Sequence, residues 1–563
     1  MTQLIEKIRT SIIGEGVRIK TPFGLRPLIY ADYTASGRSL RFIENYIQDQ
    51  VLPYYANTHT ETSFTGSYTT TLREQARQTI HSAVNARDAD HVIFCGAGAT
   101  AAISKLMDIL NLRIPNDLDR QYGLSQQIPE KQRPVMFISP YEHHSNELPW
   151  RESIAELVTI PLARDGRLDI DALDHALQKY QSRITKIGSF SAASNVTGIK
   201  TNVDAVSRLL HQYGALSFWD YAAAAPYTAI DMRGNQQAAG DTSKDAVFIS
   251  PHKFIGGPGT PGVLIVNDGL LTNSVPSVPG GGTVLYVNPE DHSYLKNVER
   301  REEGGTPAIV ESIRAGLVFK LQQAVGTKKI EALENGFIKR AIERWSANAN
   351  IDILGSHSAP RISIVSLRIK WQQKELHYGF VTALLNDLFG IQARGGCACA
   401  GPYAHILLDM EISYSRQLEQ EIERGTRILR PGWVRMNFNY FIDEDCFEYL
   451  LRSVELIANH GWRLLPYYNY NTSTDTWRYQ DCEKLAEPCL PDFSSDCLAA
   501  PGTVSSDVDI PFHQLLQDAE EILLKDRRVE RRFEIKLDKK AETLRWFATP
   551  QEASTELDRL ISE

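Results

Sequence analysis

Residues 245–259 read DAVFISPHKFIGGPG, an apolar run that ends at Ser250 and passes through Lys253 into a turn carrying three glycines. A run of this length bounded by turn residues reads as a buried strand. In open α/β sheets, ligands bind just outside the carboxyl ends of strands, which is where Lys253 would stand. An amine held there condenses with an aldehyde once desolvation and neighbouring cations lower its pKa. Taken alone, such a lysine reads as an ordinary surface residue at the start of a loop. The segments around it reverse that reading.

Short apolar runs alternate with helical patterns from about residue 85 to 270. HVIFC (91–95), PVMFIS (134–139), ITKIGSFSAAS (184–194), ALSFWDYA (215–222) and GVLIV (262–266) all read as strands. A glycine turn and a helix over 99–110 follow the first of them, and VDAVSRLLHQYG, closed by Gly214, reads as a crossover helix. Strands separated by helices indicate parallel βαβ units, hence an α/β class with a mainly parallel sheet. A helix after Thr306 leads out of this core. ISIVSLRI and VRMNFNY, around the helical HYGFVTALLNDLFG, suit a smaller α+β domain. The expected division is a helical N-terminal segment (1–30), a large domain (31–320), a small α+β domain (321–462) and a C-terminal extension (463–563). In the extension, EPCLPDFSSDCLAAPGTVSSDVDIP reads as loop or disordered linker. The charged HQLLQDAEEILLKDRRVERRFEIKLDKKAETL reads as a mostly helical, solvated tail.

Composition excludes several classes. The chain has 563 residues, 42% hydrophobic and 23% charged, which is globular and suggests two or three domains. A net charge of −9 offers no basic footprint, so no nucleic-acid partner is expected. No uncharged apolar run reaches the ~18 residues of a membrane span. The first residues, MTQLIEKIRTSIIGEG, read as a short amphipathic helix, without the basic start and cleavage site of a signal peptide. Seven cysteines are few and odd in number, so a reducing cytoplasmic setting is expected, not a disulfide scaffold.

Four further segments bear on Lys253. Gly96-Ala97-Gly98-Ala99-Thr100 opens a helix after a strand, and its N–H groups with the Thr100 hydroxyl suit a phosphate. Asp220, closing ALSFWDYA, is placed to pair with a pyridinium nitrogen and keep it protonated, making the ring an electron sink. His143, in Glu142-His143-His144-Ser145-Asn146, is placed to lie on such a ring and relay protons. A metal shared by the two histidines is not expected, because adjacent side chains diverge on an extended chain. Asn195, in SNVTG, is placed to bond the ring's phenolic oxygen. Each segment singly has an ordinary structural reading, as glycine turn, capping aspartate or hydrogen-bonding histidine.

Together, and in this order, they resemble the class V aminotransferase family of fold type I, especially its cysteine desulfurase branch. The likeness runs from about Ile29 to Tyr440 and includes YADYTAS, EHHSN, SNVTG, WDYA, SPHKFIGGPG, GGGT (280–283) and EGGTP (303–307). It implies pyridoxal 5′-phosphate bound as a Schiff base on Lys253. It also implies phosphate contacts from Ser250, His252 and the Gly98-Ala99-Thr100 loop. His143 matches the ring-stacking histidine, Asp220 the pyridinium partner, and Asn195 the family asparagine. Thr283 matches a residue lent by the partner subunit to the phosphate, so a homodimer is implied, and His59 matches a histidine near the site's entrance. One position departs: where the family often carries a glutamine bonding the cofactor's O3′, this chain has Ala223.

The segment 393–402, ARGGCACAGP, bears on the reaction. A thiolate on a mobile loop is suited to capture a substrate's sulfur. The segment resembles the R-x-G-x-x-C loop of group II cysteine desulfurases, with Cys399 at the persulfide position, and also the loop of molybdenum cofactor sulfurases. Arg394 would then hold the substrate carboxylate, a bidentate task for a guanidinium, with Arg435 at the family's second such position. Cys397 reads as a tolerated neighbour, a resolving thiol or half of a tight redox pair with Cys399. The expected function is desulfuration of L-cysteine to alanine and a Cys399 persulfide, with a protein as sulfur acceptor. The alternatives are another class V reaction without a persulfide (C–S or selenocysteine lyase, aminotransferase, epimerase) and a non-catalytic sulfur carrier or scaffold.

Overall fold

The computed structural model describes residues 2–58, 60–235, 239–480, 510–525 and 533–562. Its centre is a seven-stranded sheet of β1 (Asp90–Cys95), β2 (Val135–Ile138), β3 (Glu156–Thr159), β4 (Lys186–Ser191), β5 (Leu216–Asp220), β6 (Ala246–Ile249) and β7 (Gly262–Asn267), in the spatial order β1-β7-β6-β5-β4-β2-β3. The pairs β2–β3, β2–β4, β4–β5 and β5–β6 are parallel. Only β7 departs: it is antiparallel to both β1 and β6. The connection from β6, the glycine-rich stretch through Lys253, forms a 3-10 turn and glycine turns but no crossover helix, and so returns the chain the opposite way. The strand β3 carries a Glu-Leu-Val-Thr sequence too short to stand out as an apolar run.

Alternate residues of each strand enter different cores, as the two-residue period requires. Val92 and Phe94 pack with the helices Phe64–Ala83 and Ile309–Val325 on one face. Ile93 and Cys95 pack with the helix Gly98–Ile109 on the other. The sheet is therefore covered on both sides, which explains why its strands are almost wholly buried.

A second, antiparallel sheet contains β8 (Ile351–Ile353), β9 (Ile364–Trp371), β10 (Arg394–Gly396) and β11 (Trp433–Asn437), in the order β8-β9-β11-β10, with Lys374–Leu376 paired to β9. The helices Tyr378–Phe389 and Glu444–His460 complete its core.

The two termini differ from the expectations in detail. The N-terminal helix spans only Thr2–Thr10; Gly14 and Gly16 adopt positive φ, and a hairpin of Arg18–Thr21 with Gly24–Pro27 follows. In the C-terminal region the charged stretch is not one solvated helix. A helix over Phe512–Leu524 buries Leu515, Leu516, Ala519 and Leu523 in the second core, and a short helix covers Lys539–Thr543. Leu516, Ala519 and Leu523, at one, four and eight residues from Leu515, form with it an apolar stripe that outweighs the charges around them. Residues 487–509, most of the expected linker, lie outside the described residues, as does His59. Among the described residues no helix is long and apolar enough to cross a membrane.

Candidate active site

One cleft opens at the carboxyl ends of the parallel strands, and Lys253, Asp220, His143, Asn195, Gly98, Ala99, Thr100, Ser250, His252, Arg394, Arg435 and Cys399 all line it. Lys253 ends a single 3-10 turn, Pro251–Lys253, after β6. Its amine has no hydrogen-bond partner among the described residues, and burial pulls its pKa down to about 8, with Asp220 opposing and Arg435 and Arg394 assisting that shift. Asp220 closes β5; one carboxylate oxygen accepts from the Ala222 N–H at 2.7 Å, and burial raises its pKa.

The helix Gly98–Ile109 starts at the cleft floor, where Ala99 N donates to Ser250 Oγ at 2.9 Å. A Cβ on Gly98, whose φ is +58°, would sit 2.9 Å from both Ser250 Oγ and His252 Cε1, so the cradle closes only around glycine. Burial, with the charge of Lys253, lowers the His252 pKa to about 4. His143 accepts from the Ser145 N–H at Nδ1 (3.1 Å), which leaves its proton on Nε2; burial and Lys253 lower its pKa to about 3, so the ring stays neutral. The Ser145 hydroxyl also lies 3.0 Å from Nδ1 and 2.6 Å from Thr100 Oγ1. A chain of three side chains thus links the helix terminus to the imidazole.

The cysteine loop crosses the cleft. Ala398 and Cys399 adopt φ of +53° and +56°, the left-handed region disfavoured for residues with a Cβ, at a cost of order 1–3 kcal/mol each. Three hydrogen bonds hold them there. Asn195 Nδ2 donates to Ala398 O (2.8 Å), His144 N to Cys399 O (2.9 Å), and Gly401 N to His144 Nε2 (3.1 Å). The Cys399 thiol is exposed, and Cys397 is half-buried.

Of the two remaining expected residues, only Thr283 is described. Thr283 does not line the cleft; it is fully buried, and its hydroxyl donates to Gly280 O at 2.6 Å. His59 is outside the described residues. Sequence reasoning also missed three residues. Asp32, inside the quoted YADYTAS, bridges Arg394 and Arg435; Ser145 orients His143; His144 anchors the loop. That Arg394 and Arg435 stand side by side, and so need a counter-ion, is itself a product of strand pairing, so the sequence carried no signal for Asp32. No group of three metal-capable side chains occurs among the described residues.

The chain belongs to the class V aminotransferase family, which it matches over residues 29–417. It is 28% identical over 380 residues to a probable cysteine desulfurase of Halalkalibacterium halodurans, covering 67% of this chain and 85% of that one. A probable cysteine desulfurase of Streptomyces coelicolor is 27% identical over 379 residues, covering 67% and 84%. The fold is shared with the cysteine desulfurase of Thermococcus onnurineus (TM-score 0.61, 21% identity, 77% of this chain and 95% of that one). It is shared also with CsdA of Escherichia coli (TM-score 0.60, 19% identity, 80% and 97%).

The family works with pyridoxal 5′-phosphate, and the cleft's residues fit that group. A lysine amine and a buried carboxylate line the same cleft, and its helix terminus holds space at Gly98 that a Cβ would fill. The Asn195 Oδ1 is buried without a partner. Ala223 lines the cleft where a glutamine is common, so no side chain there reaches toward O3′.

Proposed function

We propose that this protein is a pyridoxal phosphate-dependent cysteine desulfurase-like enzyme, converting L-cysteine and the Cys399 thiol to alanine and a Cys399 persulfide. The observation that carries the reading is the exposed Cys399 thiol, held by a tethered loop in the same cleft as Lys253, Asp220 and His143. When bound, the cofactor supplies an aldehyde carbon for an amine and a ring that absorbs electrons. Lys253 provides the amine, which its lowered pKa leaves about half unprotonated near pH 8 and largely so above it. Asp220 holds a proton on the ring nitrogen. Ser250, His252 and the Gly98-Ala99-Thr100 turn take the phosphate, and Asn195 keeps one amide N–H free for the phenolic oxygen, the other being given to Ala398. Arg394 and Arg435 take the α-carboxylate, and neutral His143 shuttles protons from Nε2. The substrate's C–S bond breaks, its sulfur joins Cys399 as S–S, and the proton of the thiol ends on the alanine carbon. A thiol-bearing acceptor protein, or a small thiol, then removes the sulfur.

A homodimer belongs to the same reading: the strand Val284–Val287, directly after Thr283, leaves Leu285, Tyr286 and Val287 59–67% exposed. So does a reducing, cytoplasmic setting, which the four described cysteines, all unpaired, suit. The test is alanine and sulfide release from L-cysteine by the wild type and Cys399→Ser, with mass analysis of the loop peptide for one added sulfur. Equal sulfide release by both would leave the other class V reactions as the better account. A purified protein that carries no cofactor and takes none up would favour the scaffold.

A further inference from the structure

Arg394 and Arg435 stand directly opposite each other on the antiparallel strands β10 and β11. Like charges at such a pair repel, and the Arg435 side chain is only 5% exposed, so the pair would be costly by itself. The carboxylate of Asp32 lies between them. Its Oδ2 accepts from Arg394 Nε at 2.9 Å and its Oδ1 from Arg435 Nη2 at 3.0 Å. Backbone pairing fixes it there. Ile29–Tyr30 runs parallel to Ile391–Gln392, Ala31 N donates to Gln392 O (3.0 Å), and Asn437 N donates to Ala31 O (3.1 Å). Asp32 thus hangs from a three-way junction of main chain and cannot swing away from the arginines without breaking it.

The donors Asp32 leaves free define what can enter. Arg394 Nη1 and Nη2 have no protein acceptor among the described residues, and this side chain is half exposed. Arg435 Nε is buried without a partner, and its Nη1 is given to Asn195 O at 3.1 Å. A planar pair of η N–H groups donates to one carboxylate in the bidentate manner. Two guanidiniums and one carboxylate sum to a single positive charge.

Building on the reading of Arg394 and Arg435 as the substrate-carboxylate pair, we propose that Asp32 determines specificity as their internal counter-ion. It restricts the site to substrates bearing one carboxylate and excludes acidic amino acids and other dianions. Asp32 acts through the arginines and is a positioning residue, not a catalytic one.

The test is calorimetric titration of the holoenzyme with propionate and malonate, a mono- and a dicarboxylate of similar size. The wild type should bind propionate at least tenfold more tightly than malonate, and Arg394→Ala should lose propionate. Asp32→Asn, which adds one net positive charge at unchanged size, should bind malonate about tenfold more tightly relative to propionate. Asp32→Ser is the second variant should the asparagine form fail to fold, with the same expected shift. In parallel, KM for L-cysteine should change in Asp32→Asn more than kcat does. A malonate-to-propionate ratio unchanged in both folded variants overturns the counter-ion role while leaving the carboxylate pair intact. Carboxylate binding that is indifferent to Arg394→Ala overturns both.

Discussion

The backbone carbonyl of Cys399 accepts a hydrogen bond from the amide of His144, and the ring of the same histidine accepts one from Gly401 N. The loop that bears the exposed thiol is therefore fastened to the segment that bears His143. The second bond rests on the side chain alone. Replacing His144 by alanine removes it and should free the 397–401 stretch from its left-handed conformation. Since one hydrogen bond is worth about 1 kcal/mol, persulfide formed per cofactor should fall about fivefold. The cofactor's absorption should be unchanged. A matched loss of cofactor binding would mean that His144 supports the whole cleft and not the loop.

The Lys253 amine carries a pKa lowered to about 8 by burial. Only the unprotonated amine attacks an aldehyde, so the rate of cofactor uptake by the apoprotein should rise with pH and level off above about 8. Stopped-flow absorbance after mixing with pyridoxal phosphate measures this. Borohydride should then fix the cofactor on residue 253, and Lys253→Ala should show neither effect. Uptake that is flat between pH 6 and 9 would contradict the burial argument.

Glu303, from the quoted EGGTP, is buried between Arg73 and Arg77, which donate to it at 2.5 Å and, in bidentate fashion, at 2.9 and 3.0 Å; it also accepts from Phe94 N at 2.7 Å. Glu303→Gln leaves two buried guanidiniums short of a counter-charge, and unfolding free energy should drop by about 3–5 kcal/mol in urea melts. The arginines hold the Glu303 pKa below the usual carboxylate range against its burial. Its contribution is therefore present above the unfolded carboxylate's pKa and is lost as pH falls through the lower folded value. The acid limb of the stability profile should be shallower in the variant.

His377, buried at the start of the helix Tyr378–Phe389, accepts at Nδ1 from Trp477 Nε1 (3.0 Å) and Gly379 N (3.0 Å), and its ring stacks on Trp546. Burial lowers its pKa to about 3. Because the unfolded imidazole takes a proton near pH 6.5 and the folded one does not, this site loses stability as pH falls below 6.5, by about 1.4 kcal/mol per pH unit. His377→Asn should be the less stable form at pH 7.5, with the gap to wild type closing steadily toward pH 5. A gap independent of pH would show that the folded ring titrates normally.

The apolar runs, their glycine punctuation and the order of SPHKFIGGPG, WDYA and EHHSN made legible six of the seven strands of the central sheet and the residues at their ends that line the cleft. Those are local properties, since burial on both faces and a turn after each strand are written in consecutive residues. Three features depended on the tertiary structure. The reversal of β7 followed from a connection built of turns with no crossover helix, the seating of the C-terminal leucines from a core built by other helices, and Asp32 between Arg394 and Arg435 from a junction of strands about 360 residues apart. An ion pair of that kind has no period and no spacing, because Coulomb attraction depends on distance in space and the chain's path between the partners is free.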